Sequence, residues 1–324
     1  MRVAITGGCG FIGSAVVRRL IENDFSVRII DNLAAGSTHV LNEYNFHEID
    51  TNHGKAWANL SFCKVDILNR EKLFEATIGA DAIIHLAANT GVFQSVEDPY
   101  FDCSVNVSGT LNTLEACRNN NVKKFIFASS GAPLGNNLPP LHEKLAPAPM
   151  SPYGASKLAG EGYCSAYFHS FNIQTVALRF GNVYGPGSEL KTSVVAKFIK
   201  AALNNEQIEI YGTGQQTRDY IFVKDLVDAI FKSLLVKNIG GEIFQIATAT
   251  ATTVNEIYSI ILHELEKKHL YISPALFSEM RVGDALQNFS NTDKAKSLLG
   301  WHATTDIQSG ISQTIDYFIE RGKS

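Results

Sequence analysis

Two side chains in the run Ser151-Pro-Tyr-Gly-Ala-Ser-Lys157 have the types and spacing for proton chemistry on an alcohol. On a helix, residues four apart such as Tyr153 and Lys157 share a face. An ammonium held there favours the charged phenol and lowers its pKa from about 10 toward working pH. A tyrosinate of this kind takes a proton from a hydroxyl while a hydride leaves the same carbon. Tyr220 and Lys224 match the same spacing, but the intervening Ile-Phe-Val favours extended structure. Alternation would put those two side chains on one face about 13 Å apart, so that pair is rejected as an acid/base couple. Pro152, in contrast, suits the first turn of a helix, which makes Tyr153 the start of one.

The elements that must carry these residues read as alternating strands and helices. Apolar runs at 2–6, 26–31, 60–66, 81–87, 124–129 and 173–180 predict buried strands, and amphipathic stretches near 12–23, 70–78, 104–119 and 153–169 predict helices. Asn119-Asn-Asn121 marks a helix stop. This order implies an α/β protein with a doubly wound parallel sheet. The Pro-rich segment 131–152 reads as a loop at the C-terminal rim of that sheet. Past residue 181 the pattern is irregular, with helices near 193–204, 224–235, 253–265 and 305–320 and a short strand near 207–211. The expected organisation is a nucleotide-binding domain over 1–180, to which 222–250 returns, and a smaller α/β substrate domain over 181–324.

A glycine-rich turn fixes the kind of cofactor. Gly7, Gly10 and Gly13 follow the strand Val3-Ala-Ile-Thr6 and open the helix that begins near Phe11. Glycines at these places allow a tight turn and let backbone N–H groups meet a pyrophosphate at the helix N-terminus. Asp31, ending the second strand, suits the ribose hydroxyls of NAD and would repel the extra phosphate of NADP. Asp66-Ile67 ends the third strand beside an adenine position, although Asp66 alone reads equally well as a solvated strand-end carboxylate, and Leu86-Ala87-Ala88 ends the fourth with residues small enough for close approach. Ser129 and Ser130 end the strand that precedes the Pro-rich loop, where ligands of open α/β sheets bind. Ser130 could bond a substrate oxygen or merely satisfy backbone groups at the strand end.

The bulk properties remove other classes. A net charge of -4 over 324 residues offers no basic surface for nucleic acid. No apolar run approaches a membrane span, and glycines break up the only segment that resembles a signal peptide. Five scattered cysteines without a C-x-x-C point to reduced thiols and a cytoplasmic location. His, Cys and Glu show no metal-ligand spacing, so no metal site is expected.

Together these residues resemble the extended short-chain dehydrogenase/reductases, and within them the nucleotide-sugar epimerase/dehydratase family. The resemblance spans nearly the whole chain, through Thr6–Gly13, Asp31-Asn-Leu33, His85-Leu-Ala-Ala88, Asn106-Val-Ser-Gly-Thr110, Ser129-Ser130, Tyr153 with Lys157, Arg179–Pro186, Arg218-Asp-Tyr220 and Arg281-Val-Gly-Asp284. It implies a Rossmann domain, bound NAD and a catalytic set of Ser130, Tyr153 and Lys157. It adds Phe11, Ile12, Asn32 and Asn106 to the cofactor contacts. It assigns Asn182, Arg218 and Arg281 to the diphosphate of a nucleotide sugar, with Asp284 and Asn288 nearby in the substrate site. An Arg fork suits phosphate oxygens. A homodimer through 104–119 and 153–169 is also implied.

Within the family, Gly131 and Ala132 stand where dehydratases similar to this chain carry Asp and Glu, and where decarboxylases carry Glu at the second position. Without an added acid there, the expected outcome is inversion at C4 of a UDP-hexose through a 4-keto sugar. Other outcomes on the same substrate class are 2-epimerisation, dehydrogenation, dehydration or decarboxylation; a non-catalytic NAD-binding regulator is the reading from another class. Leu134 stands where many epimerases have Tyr, and Phe222 where galactose-type enzymes have His. Asn288 is smaller than the Tyr of strict glucose/galactose enzymes, which leaves an N-acetylhexosamine or a uronic acid open as the sugar.

Overall fold

The computed structural model describes residues 1–42, 44–49, 57–270, 274–279 and 286–322. Fourteen strands are seen among them: β1 Arg2–Thr6, β2 Ser26–Asp31, β3 His47–Glu48, β4 Leu60–Lys64, β5 Ala82–His85, β6 Lys124–Ser130, β7 Gln174–Phe180, β8 Asn182–Tyr184, β9 Glu209–Tyr211, β10 Thr217–Arg218, β11 Tyr220–Phe222, β12 Glu242–Ile246, β13 Thr252–Thr253 and β14 Leu276–Ser278. The helices are α1 Phe11–Ile21, α2 Arg70–Ala76, α3 Val92–Glu97, α4 Pro99–Cys103, α5 Gly109–Asn119, α6 Pro152–Phe171, α7 Val194–Leu203, α8 Val223–Leu235, α9 Val254–Glu266 and α10 Ile307–Gly322. No described helix is long and apolar enough to cross a membrane.

Eight strands form one sheet in the order β12-β7-β6-β5-β1-β2-β4-β3, and every pairing is parallel. The chain moves one way from β1 through β2 to β4, then restarts at β5 and moves the other way. The crevice between β1 and β5 is therefore the switch point, where such sheets bind ligands.

Parity along the strands explains why both faces are covered. Val3 and Ile5 of β1, Val27 and Ile29 of β2 and Ile84 of β5 pack with Val16, Val17 and Leu20 of α1 and Leu226 and Ile230 of α8. Ala4, Ile30, Ile83, Phe125 and Phe127 face the opposite layer, with Leu73 of α2, Leu114 and Cys117 of α5 and Cys164 and Tyr167 of α6. Strands buried on both faces read as unbroken apolar runs, which is why β1, β2 and β4 to β7 are legible in the sequence, whereas the exposed two-residue β3 is not. The segment 222–250 supplies α8 to the first layer and β12 to the sheet edge.

A third apolar cluster holds the remaining elements together. Phe198 and Ile199 of α7, Ile257 and Ile261 of α9 and Ile311 and Ile315 of α10 are its centre. Around it run three two-stranded pairings, β10 with β13, β8 with β11 and β9 with β14. One sequence expectation is corrected here. The extended run ends at Phe222, and Lys224 lies in the first turn of α8, so Tyr220 and Lys224 do not alternate along one strand.

Candidate active site

The nucleotide end of the site is built by the turn after β1. Gly7 has φ of +74°, a left-handed conformation that favours glycine, and a Cβ there would lie 2.7 Å from the Ala87 nitrogen across the switch point. A Cβ on Gly13 would lie 2.1 Å from the Gly7 carbonyl oxygen, so the first turn of α1 packs directly on the loop. Gly10 caps α1 without a side-chain hydrogen bond, and the first turn holds no acidic residue. The leading N–H groups of α1, with Phe11 and Ile12 in its first turn, are thus left for an external acceptor, as a dinucleotide's diphosphate requires.

Asp31 is buried at the end of β2. Its two oxygens accept from Cys9 N at 2.9 Å and Leu33 N at 2.8 Å, which fixes the carboxylate at the strand end. Asn32 donates from Nδ2 to Asp66 Oδ2 at 2.9 Å, joining the ends of β2 and β4. Ile67 is buried beside Asp66. Leu86 and Ala87 continue the end of β5, held by Leu86 N to Thr6 O at 3.0 Å and Ala87 N to Thr6 Oγ1 at 3.3 Å, with Ala88 next in the chain. Gly cradle, capless helix start and strand-end carboxylate together fit NAD.

The candidate acid/base residues lie where α6 meets β6. Ser151 caps α6 by accepting from Gly154 N at 3.1 Å, with Pro152 in the first turn, as read from the sequence. Lys157 is buried, donates to Ala128 O at 2.9 Å and stands 5.8 Å from the centre of the Tyr153 ring. One ammonium hydrogen is thus committed and two remain. Ser130 Oγ accepts from Ala132 N at 3.1 Å. Burial pushes the Tyr153 phenol up to about 12, the nearby Ser130 hydroxyl pulls it down, and Asp102 adds to the rise. Burial pulls Lys157 down to about 8, opposed by Asp102 and then Glu161.

Behind this pair sits a layer of buried polar side chains. Asn106, in a π-helical turn over Ser104–Ser108, accepts from Asn89 N at 2.9 Å. It donates to Asn89 O at 2.9 Å, to Asp102 Oδ1 at 2.8 Å and to Ser156 Oγ at 3.2 Å. These bonds put Asn106 behind the loop that follows β5, holding it in place. His85 lies between Thr6 Oγ1 at 2.7 Å and Thr110 Oγ1 at 3.0 Å. Thr110 donates to Asn106 O at 2.6 Å, so His85 is best assigned as donating from Nε2 and accepting at Nδ1. Burial, helped by Lys157, holds its pKa down at about 3, so it is neutral. Glu161, one further turn along α6, forms a bidentate pair with Arg179 of β7 and accepts from Ser129 Oγ.

The candidate substrate residues lie on and beside the small strands. Asn182 opens β8 opposite Tyr220 of β11, Arg218 ends β10, and Asn288 N lies 3.4 Å from Thr217 Oγ1. The structure brings these three together; Arg281 and Asp284 lie outside the described residues. Asp219, not singled out from the sequence, anchors this region. Its buried carboxylate accepts from Thr248 N and Oγ1, Ala249 N and Ser290 N at 2.6–3.2 Å. A lone acid beside a candidate Arg gives no sequence signal for such a role. Leu134 and Pro133 are buried, so the departure from the usual aromatic lies in the wall under the rim. Phe222 is likewise buried, 5.6 Å from the Tyr184 ring.

Residues 3–247 match the model of the NAD dependent epimerase/dehydratase family. A protein named putative UDP-glucose 4-epimerase from Methanocaldococcus jannaschii is 35% identical over 97% of both chains. The structure of a UDP-glucose 4-epimerase from Thermotoga maritima, solved with UDP-glucose, has a TM-score of 0.90 at 32% identity and covers 99% of both chains. That of a UDP-N-acetylglucosamine 4-epimerase from Methanobrevibacter ruminantium has a TM-score of 0.88 at 34% identity, covering 99% of this chain and 98% of that one. With family model, whole-length relatives and a doubly wound sheet in agreement, the chain belongs to the NAD-dependent epimerase/dehydratase family and is an enzyme of nucleotide-sugar chemistry.

Proposed function

We propose that the protein is a UDP-hexose 4-epimerase working through a transient 4-keto sugar. The observation that carries this reading is the Ser130, Tyr153 and Lys157 set beside Gly131 and Ala132, which bring no acid. The missing acid does not reflect a lack of room, because a Cβ on Gly131 would meet no atom within 4 Å. Dehydration or decarboxylation would need another proton-transfer group there.

In this reading Gly7, Gly10, Gly13, Asp31, Asn32 and Asp66 hold NAD, with Phe11, Ile12, Ile67 and Leu86–Ala88 against it and Asn106 supporting the loop. Bound there, NAD would supply a reversible hydride acceptor for C4 and, in its oxidised form, a positive charge favouring the tyrosinate. Tyr153 accepts the C4 hydroxyl proton as the carbonyl forms and gives it back as the carbonyl is reduced. Ser130 donates to the same oxygen, and Lys157 holds the phenol near its charged form. Asn182, Arg218, Arg281, Asp284 and Asn288 bind the rest of the nucleotide sugar, so that the keto sugar can turn over without leaving. Asn288 leaves room for an N-acetyl group; a uronic acid is the other candidate.

The two-part organisation, 1–180 with 222–250 for the cofactor and the remainder of 181–324 for the sugar nucleotide, belongs to the same reading. So does a homodimer through 104–119 and 153–169. Supporting the dimer, α3 and α4, which pack on α6, expose Val92, Phe93, Val96, Tyr100 and Phe101. Exposed apolar residues grouped on two adjoining short helices suit an interaction surface.

The test is to incubate the protein, without added NAD, with UDP-glucose, UDP-N-acetylglucosamine and UDP-glucuronate. C4-inverted product is expected, and Tyr153→Phe should cut turnover by several orders of magnitude while still binding NAD. Stoichiometric NADH, CO₂ or a 4-keto-6-deoxy sugar as the product would overturn the assignment. Undiminished turnover in Tyr153→Phe would remove Tyr153 from the chemistry.

A further inference from the structure

We infer that Asp102 is a positioning residue of the acid/base centre, a buried counter-charge that keeps Lys157 an ammonium without touching it. The inference rests on the Tyr153–Lys157 reading above.

The side chain is buried to 1% exposure in the short helix α4, which packs on α6. Its Oδ1 accepts from Asn106 Nδ2 at 2.8 Å, and the same Nδ2 lies 3.2 Å from Ser156 Oγ, on the residue preceding Lys157. Ser156 Oγ in turn donates to Tyr153 O at 3.0 Å. Asp102 is therefore coupled through Asn106 and Ser156 to the one helical turn that holds both acid/base residues. Its second oxygen, Oδ2, is buried without a hydrogen-bond partner. A structural carboxylate is normally satisfied at both oxygens, so something other than local bonding has to justify this one.

Charge supplies the justification. A buried ammonium is costly unless an opposite charge is near. The groups facing Lys157 are Tyr153, Glu161 and Cys164 on α6, Asp102 on α4 and His85 on β5. His85 is neutral and Cys164 is held as the thiol by burial. Glu161 is already matched by the bidentate Arg179. Glu97 and Asp98, on and beside α3, are exposed. Asp102 is the remaining carboxyl that can balance Lys157, and among the described residues the two form no ion pair within 4.0 Å. The separation has a use. A direct pair would occupy the Nζ hydrogens, whereas a charge at a distance leaves two of them for the phenol and the cofactor. Burial raises the Asp102 pKa, opposed first by Ser156, then by the Lys157 charge and then by Asn106.

Asp102→Asn keeps the acceptor for Asn106 and removes only the charge. The direct readout is the titration of the Lys157 ¹³Cε resonance in ¹³C-lysine-labelled full-length protein with NAD bound, assigned by its loss in Lys157→Arg. The midpoint should fall by about one pH unit from its wild-type value, at the low end of the effect of a nearby opposite charge. Removing a negative charge lowers the pKa of every neighbour, so both limbs of the kcat–pH profile should also move to lower pH. Asp102→Glu, which retains the charge, should keep the wild-type midpoint. If Asp102→Asn does not fold, the smaller neutral Asp102→Ser gives the same reading. An unmoved midpoint in the neutral variant, whatever happens to kcat, overturns the inference. An inactive Tyr153→Phe with an unmoved Asp102→Asn midpoint would sink this inference alone, whereas an active Tyr153→Phe would sink the acid/base reading.

Discussion

The pair Glu161–Arg179 offers the sharpest test of how the acid/base helix is held. Both side chains are 2% exposed. Arg179 Nε donates to Glu161 Oε1 at 2.8 Å and Nη2 to Oε2 at 2.7 Å, while Ser129 Oγ donates to Oε1 at 2.6 Å. In Glu161→Gln the amide oxygen can keep two of these bonds. The NH₂ group then faces Nη2, donor against donor, and one charge-assisted bond of about 1.5–3 kcal/mol is lost. The guanidinium is left buried without a counter-charge, and its Nη1 already lacks a hydrogen-bond partner. Breaking a buried pair this way costs about 3–5 kcal/mol. At roughly 2 °C per kcal/mol for a chain of this size, Tm should fall by about 6–10 °C. Calorimetry of both proteins at the same NAD concentration measures it, since bound cofactor shifts Tm by mass action. A drop of under about 2 °C would refute the reasoning, because it would mean that the pair contributes no more than an exposed salt bridge. Glu161→Leu with Arg179→Met removes both charges and should recover much of the loss.

Gly10→Ala and Gly13→Ala separate room for the fold from room for the cofactor. A Cβ on Gly10 meets only the Gly7 oxygen at 3.4 Å, so Tm without NAD should hardly change while calorimetric NAD affinity falls about tenfold or more; a Cβ on Gly13 collides at 2.1 Å, so both should fall. Equal, unchanged NAD affinity in the two variants would deny that the turn holds the diphosphate. His85 has a folded pKa of about 3, below its unfolded value of 6.5. Its contribution to stability is therefore complete above pH 6.5 and is lost as pH falls toward 3, by about 2–3 kcal/mol at pH 4.5. His85→Gln should flatten urea-unfolding free energy against pH over that window, and an unchanged slope would show that the ring titrates normally. Phe93→Asp combined with Phe101→Asp should convert a dimer to a monomer in light scattering; persistence of the dimer would place the interface elsewhere.

The sequence and the structure agree best where burial is two-sided. Strands such as Ser26–Asp31 and Gln174–Phe180 are covered by helices on both faces, so their apolar runs are continuous and a polar end such as Asp31 stands out. Of the strands of two or three residues only β9 is legible; β3, β8, β10, β11, β13 and β14 are too short to show a period, and β8, β10, β11, β13 and β14 pair with partners far along the chain. Extended propensity in Tyr-Ile-Phe-Val is satisfied by three residues of β11 before the chain turns into α8, whose apolar face packs on α1 and decides the boundary. The helices α3 and α4 escaped notice because their apolar residues are largely exposed, which defeats a pattern that assumes burial.

At the site, the residues legible in the sequence are those whose chemistry is rare at their spacing: the glycine turn, Tyr153 with Lys157, and the hydroxyl at Ser130. Residues that act through others leave no such trace. Asp102 is one acid in a stretch of mixed character, and Asn106 is marked by the family motif but spends every polar atom on the protein. Their roles depend on what is buried beside them. The pair is pressed toward neutrality by burial, phenol upward and ammonium downward. A helix that merely places Tyr153 and Lys157 four residues apart therefore does not yet make a base. The phenol can be charged only if positive charge stays beside it, and the lysine keeps that charge only if buried carboxylates lie behind it. The spacing of Tyr153 and Lys157 is shared by Tyr220 and Lys224, so it is the helix and the buried polar layer under α6 that set the first pair apart.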